Sequence, residues 1–218
     1  MGRNKLTRLE YNLNSDKIIQ EGKEIFENIS GKWNELVFKN NNPIVLEIGC
    51  GDGDYTTGIC AQFPELNAIG VDVKGTRIHV GAKKLEENNL HNGAFLRTRM
   101  HELESFFTDN EVQEFWITFP DPRPRDRDEK RRLVHPRYLN IYKKIGVENA
   151  VVNLKTDNYD LYCYALQVCK EENHEIICQT DNLYASDILS ECLGIQTKYE
   201  KKYLAEGIKI NYLKFRLN

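Results

Sequence analysis

Six short segments in which apolar residues run almost without interruption recur along the chain: NPIVLEIG (42–49), NAIGVDV (67–73), GAFLRT (93–98), EFWITF (114–119), NAVVNLKT (149–156) and HEIICQT (174–180). Their shortness and their β-branched and aromatic content predict strands rather than buried helical turns. Between them lie stretches of helical composition, each opened by a polar residue, proline or glycine, which predict helices over about 16–26, 54–62, 75–88, 136–145 and 159–170. Strands that are apolar on both faces need cover on both, so their alternation with helices predicts a mostly parallel, doubly covered sheet. The segments are evenly spaced over all 218 residues, with no internal repeat, low-complexity tract or linker. One domain over 1–218 is expected, with a basic segment and helix over 1–42 ahead of a core over 43–218.

The last stretch, TKYEKKYLAEGIKINYLKFRL (197–217), reads differently. Two extended arms about a tight Glu206-Gly207 turn predict an antiparallel hairpin at the C-terminal end. Ile208, Ile210 and Tyr212 share one parity and Leu213, Phe215 and Leu217 the other, so the last strand either bulges or is covered on both sides.

Composition narrows the function classes. A 40% hydrophobic chain of this length can bury a substantial core. Thirty basic residues against 33 acidic ones give a net charge of −3, which excludes a polycationic coat and leaves only a regional nucleic-acid surface. No apolar run approaches the roughly 18 residues that span a bilayer, and no apolar stretch follows the basic N-terminal MGRNKLTRLEYN. The chain is therefore expected to be soluble, unexported and cytoplasmic. Its six cysteines lack a signal peptide, no CxxC occurs, and the five histidines neither pair at helical spacing nor cluster with cysteines. Reduced thiols and no metal are expected.

At the end of the first strong strand stands Glu47-Ile48-Gly49-Cys50-Gly51-Asp52-Gly53, followed by a helical run. A dinucleotide fingerprint needs a third glycine at 54, where this chain has Asp, and Asp52 puts a carboxylate where a pyrophosphate would sit. No GxxxxGK[ST] occurs either. A glycine turn ringed by carboxylates suits a ligand with hydroxyls, an ammonium and a positive centre, and S-adenosylmethionine is such a ligand. Asp72, at the tip of the next strand, is placed to accept from a ribose diol.

The fourth strand runs into FPDPRPRDRDEKRRL (119–133). From 121 to 132 this loop holds six basic and four acidic residues, a local +2 in a negative chain. Pro120, Pro122 and Pro124 fix φ at alternate positions and remove backbone donors, which predicts a stiff, extended loop presenting Asp121 in a fixed direction. Ligands of open α/β sheets bind outside the carboxyl ends of the strands, so this loop, Glu47 and Asp72 share one rim. Arginines beside such a cleft suit a polyanionic acceptor.

EIGCGDG (47–53), FPDPRPRDRDEKRRL (119–133), LKTDN (154–158) and TKYEKKYLAEGIKI (197–210), in that order, resemble the bacterial tRNA (guanine-N7-)-methyltransferases. The resemblance runs from about Pro43 to the C-terminus. It implies an α/β class I methyltransferase with a Rossmann-like fold: a mostly parallel seven-stranded sheet, helices on both faces and a C-terminal antiparallel hairpin. It implies methyl transfer from S-adenosylmethionine to N7 of guanine 46 in the tRNA variable loop, with tRNA as partner and no membrane or metal, and leaves monomer and homodimer both open. By position, Glu47, Gly49, Gly51, Gly53, Asp72 and Asp121 match its cofactor contacts, and Asp121 its catalytic-loop carboxylate. Arg125, Asp157, Thr197, Lys198, Tyr199 and Glu200 match its substrate positions. Structural readings of the last two groups are an N-cap at Asp157 and an edge strand over 197–200. The family commonly has Trp where this chain has Arg123, and near the third strand a carboxylate or amide for the adenine where this chain reads Arg97-Thr98-Arg99-Met100-His101. The basic residues Arg3, Lys5 and Arg8, with Lys198, Lys201, Lys202, Lys209 and Lys214, offer further phosphate contacts. Two other readings stay open: a methyltransferase acting on another base or exocyclic amine, as the D-P-x-P loop suggests, and a catalytically inactive RNA-binding relative.

Overall fold

The computed structural model describes residues 3–218, with side chains from residue 6 onward, so the side chains of Arg3 and Lys5 lie outside the described residues. The chain order is α1 (Arg3–Asn14), β1 (Ile18–Ile19), β2 (Ile44–Ile48), α2 (Asp54–Gln62), β3 (Asn67–Asp72), α3 (Gly75–Glu87), β4 (Gly93–Arg97), β5 (Val112–Thr118), α4 (Pro136–Ile145), β6 (Gly146–Thr156), α5 (Tyr159–Glu171), β7 (Glu175–Thr180), α6 (Lys198–Ala205) and β8 (Asn211–Arg216). Short 3₁₀ or π turns fill several connections, including Met100–Ser105 and Asp126–Arg131. One sheet runs β1-β4-β3-β2-β5-β6-β8-β7. Strands β1 to β6 pair in parallel, and β8 is antiparallel to both β6 and β7.

Because the sheet is covered on both sides, alternate residues of each strand feed two separate cores. Leu46, Ile48, Ile69, Val71, Phe115 and Val152 pack beneath α4 and α5 against Leu139, Tyr142, Leu161 and Ala165. Val45, Ala68, Phe95, Trp116 and Tyr212 pack beneath α2 and α3 against Tyr55, Ile59, Ile78 and Leu85. Strand β8 divides the same way: Leu213 and Phe215 join the first core and Tyr212 the second, so the two-parity pattern reflects cover on both faces.

Two expectations are corrected. A helix over 16–26 is not formed; the N-terminal helix is α1, and Ile18 and Ile19 instead pair with Phe95 and Leu96 as a two-residue edge strand, the eighth of the sheet. This outcome is tertiary, since the pairing puts Ile18 into one core and Ile19 into the other. The first arm of the expected 197–217 hairpin is likewise a helix, α6. Thr197 accepts from the Glu200 amide (3.1 Å) and the Glu200 carboxylate accepts from the Thr197 amide (3.4 Å), a reciprocal cap that an S/T-x-x-E sequence forms. With that arm helical, β8 lies between β6 and β7, antiparallel to each.

Candidate active site

The β2–α2 turn is built on three glycines in the left-handed region, Gly49, Gly51 and Gly53 at φ 74°, 56° and 68°. The amides of Gly49 and Cys50 both donate to the Val71 carbonyl (2.8 and 3.0 Å), which ties the turn to β3. At Gly53 a Cβ would also stand 2.4 Å from the Phe95 ring. Asp72, at the end of β3, accepts from the Gly51 amide (3.0 Å) through one carboxylate oxygen and from the Lys74 amide (2.8 Å) through the other. The turn and the β3 tip thus form one unit.

Glu47 faces the other way. It is 2% exposed and does not open on the crevice. One oxygen accepts from the Thr56 amide (2.8 Å) and hydroxyl (2.5 Å) at the start of α2, and the other from the Thr118 hydroxyl (2.8 Å) at the end of β5. Burial pushes its carboxyl up to about 7 against the opposing effect of those hydrogen bonds. Its geometry is that of a tie between β2, α2 and β5.

Beyond Thr118 the chain turns sharply, with Phe119 and Arg123 both left-handed at φ 50° and 48°. The loop is therefore kinked at two points rather than uniformly extended. Its outer end is pinned by Arg132, whose guanidinium lies 4.3 Å over the Tyr164 ring of α5 while its Nε donates to the Arg123 carbonyl (3.2 Å). Leu133 packs against Gly49. Phe119 lines the crevice mouth, whereas Asp121 stands in solvent with its carboxylate accepting from Arg123 (3.1 Å). Arg125 is exposed where the Asp126–Arg131 turn begins.

Helix α6 closes the mouth from the opposite side. Thr197, Lys198 and Tyr199 line the crevice together with Gly49, Gly51, Asp52, Asp54, Arg77, Thr118 and Phe119. The Lys198 amide donates to Asp54 (2.9 Å), its ammonium pairs with Asp52, and Arg77 donates to the Tyr199 hydroxyl (2.9 Å). Glu200 is not at the mouth. It is fully buried, paired with the buried Lys155 of β6 (2.8 Å) and accepting from the Tyr184 hydroxyl (2.9 Å). Lys155 also donates to the Ile195 carbonyl (3.2 Å). Glu200 therefore fixes where Thr197–Tyr199 sit, and the edge-strand reading of 197–200 gives way to a capped helix. Asp157 is half-buried after β6; burial raises its carboxyl, and the Tyr203 hydroxyl of α6 bonds it. The cap of α5 is Asn158, which accepts from the Leu161 amide (2.8 Å), not Asp157.

On the β4 side of Asp72 lies a second, larger space of about 640 Å³, lined by Val73, Arg97, Thr98, Arg99, Glu102 and Phe106 among others. Val73 is 50% exposed at its edge. Glu102 accepts from the Thr98 hydroxyl (3.0 Å). Sequence reasoning passed over Val73, Arg77, Glu102 and Lys155, because nothing local distinguishes them from ordinary surface or strand residues. Thr56 and Thr118 were hidden for the same reason.

A family profile described as "Putative methyltransferase" matches residues 41–213. A tRNA (guanine-N(7)-)-methyltransferase of Cytophaga hutchinsonii is 46% identical over 99% of this chain and 98% of its own length. Another, of Christiangramia forsetii, is 40% identical over 99% of this chain and 98% of its own. This chain belongs to the tRNA (guanine-N(7)-)-methyltransferase family. Its fold is also that of a 16S rRNA methyltransferase, KamB, which superimposes with a TM-score of 0.68 at 14% identity over 93% of this chain and 99% of the other. Lys155 and Glu47 both lie buried behind the residues that line the crevice.

Two measurements check this. Lys155→Met leaves the Glu200 carboxylate buried and unpaired and is expected to cost about 3–5 kcal/mol in urea unfolding, most of it recovered in Lys155→Met/Glu200→Gln. The folded form of Glu47 holds its proton to about 7, whereas an unfolded carboxyl releases it near 4.3. Its stabilising contribution is thus complete at low pH and lost as pH rises through that window, by about 2–4 kcal/mol. Unfolding free energies from pH 4 to 8 should show that decline in the parent and not in Glu47→Gln.

Proposed function

We propose that this chain transfers the methyl group of S-adenosylmethionine to N7 of guanine 46 in the variable loop of tRNA. The observation that carries this reading is the meeting of three features at one mouth: the glycine turn braced by Asp72, Phe119 at the root of the proline and arginine loop, and the Thr197–Tyr199 end of α6. The residues present fit the donor. Gly49 and Gly51 leave the crevice wall without side chains, Asp72 at the β3 tip is the acceptor for a ribose diol, and the space beyond Val73 is large enough for a base. Thr98 and Glu102 offer polar atoms there in place of the carboxylate or amide expected at the strand end.

Bound donor supplies an electrophilic methyl on a sulfonium. Guanine N7 carries its lone pair in the ring plane, so no proton has to leave and no strong base is needed. The protein aligns the two centres and stabilises the positive charge that appears on the purine. Asp121 suits that role, being exposed, held among the described residues by Arg123 two positions away, and open to accept from the guanine N1–H and N2–H₂ edge. Arg125 and the Asp126–Arg131 turn meet phosphates outside the mouth, while Tyr199, held by Arg77, lines its inner side and Asp157 bonds Tyr203, whose ring packs on Phe119.

Incubating unmodified tRNA with the enzyme and donor, then cleaving under conditions that attack the cationic 7-methylguanine ring, is expected to cut the strand at position 46; no cut, or a cut elsewhere, overturns the reading. Asp121→Ala is expected to lower turnover by roughly 10²–10³ while leaving donor affinity within about twofold. Turnover at the parent rate would remove Asp121 from the mechanism.

A further inference from the structure

Resting on the reading of the crevice as the donor site, we infer that the Lys198 ammonium occupies, before the donor arrives, the carboxylate that receives the donor's α-ammonium, Asp52, and that binding requires Lys198 to release it. Four carboxylates surround the glycine turn, and three are already committed. Glu47 is sealed inside by Thr56 and Thr118. Asp72 holds the Gly51 and Lys74 amides. Asp54 pairs with Lys84 and accepts from the Lys198 amide. Asp52 differs: its one ion-pair partner among the described residues is Lys198, a side chain half exposed and therefore able to leave.

The space agrees. The crevice between the glycine turn and α6 measures only about 40 Å³, too little for an amino-acid tail while the Lys198 side chain lies across it. What narrows it is side chain, Lys198 across Asp52 and Arg77 bonded to Tyr199, since the backbone on both sides is fixed; of these Lys198 is the one that holds a carboxylate. The α6 end is held by Lys155–Glu200 and by the Lys198 amide on Asp54, and the glycine turn by Val71 and Asp72. The pairing with Asp52 raises the lysine's own pKa, so the ammonium stays charged across the working pH range. A primary ammonium on a carboxylate is also the contact that the donor's tail would make, so Lys198 and the ligand compete for one acceptor through the same chemistry. An internal competitor lowers apparent affinity by the fraction of time the acceptor is taken.

The test uses two probes that share the adenosine half: S-adenosylhomocysteine, which carries the ammonium tail, and 5′-methylthioadenosine, which does not. Calorimetry on the full chain is expected to show S-adenosylhomocysteine binding about fivefold tighter to Lys198→Met and several-fold weaker to Asp52→Asn, with 5′-methylthioadenosine unchanged by either. In the Asp52→Asn background, Lys198→Met should then have no further effect. Weaker or unaltered S-adenosylhomocysteine binding to Lys198→Met, or an equal change for both probes, overturns the competition. Failure of both probes to bind the parent protein would instead overturn the donor-site reading itself. Thermal unfolding of each variant separates loss of fold from loss of affinity.

Discussion

Glu47 carries a carboxylate into a place with almost no water, and the site's geometry depends on how that group is satisfied. A buried carboxylate is tolerated only where donors replace its hydration. Here those donors come from two elements far apart in sequence, Thr56 at the head of α2 and Thr118 at the end of β5. The glycine turn lies between Glu47 and Thr56, and the proline and arginine loop begins directly after Thr118. One carboxylate thus sets the distance between the glycine turn and the proline and arginine loop.

A second buried charge plays the matching part on the far side. Lys155 and Glu200 lie wholly inside, and their pairing is joined by the Ile195 carbonyl and the Tyr184 hydroxyl, so few polar atoms of either are left unmet. Such a pair adds little net stability over apolar packing, yet it specifies geometry, because only one placement of α6 satisfies both groups. That placement brings Thr197, Lys198 and Tyr199 to the mouth. A position matched to substrate contact by resemblance, Glu200, turns out to act one layer behind the surface.

The departure at Arg123 fits the same division between inner frame and outer surface. In place of a ring, this chain has a guanidinium that holds Asp121, while its own backbone carbonyl is held by Arg132 on Tyr164. The frame of the loop is fixed from below by Arg132 and Leu133, and its outward residues, Asp121 and Arg125, stay exposed.

Local pattern was sufficient for the parallel strands, because continuous β-branched and aromatic runs between capped helices have few other stable arrangements. Four helices, α2 to α5, also began where a local start signal stood, and the three glycines and Asp72 were legible since their chemistry lies in the chain itself. Where local signals conflicted, long-range contacts decided. Ile18 and Ile19 form a strand only because β4 offers an open edge, and TKYE caps a helix although the residues around it read as extended. The sequence by itself determined the fold class, the glycine turn and the identity of the acidic and basic groups at the rim. Only the tertiary structure decided which carboxylates are turned inward and which stay at the surface, because that depends on donors such as Thr118, Lys155 and Lys198 arriving from distant elements, and desolvation is a property of the assembled core rather than of any segment.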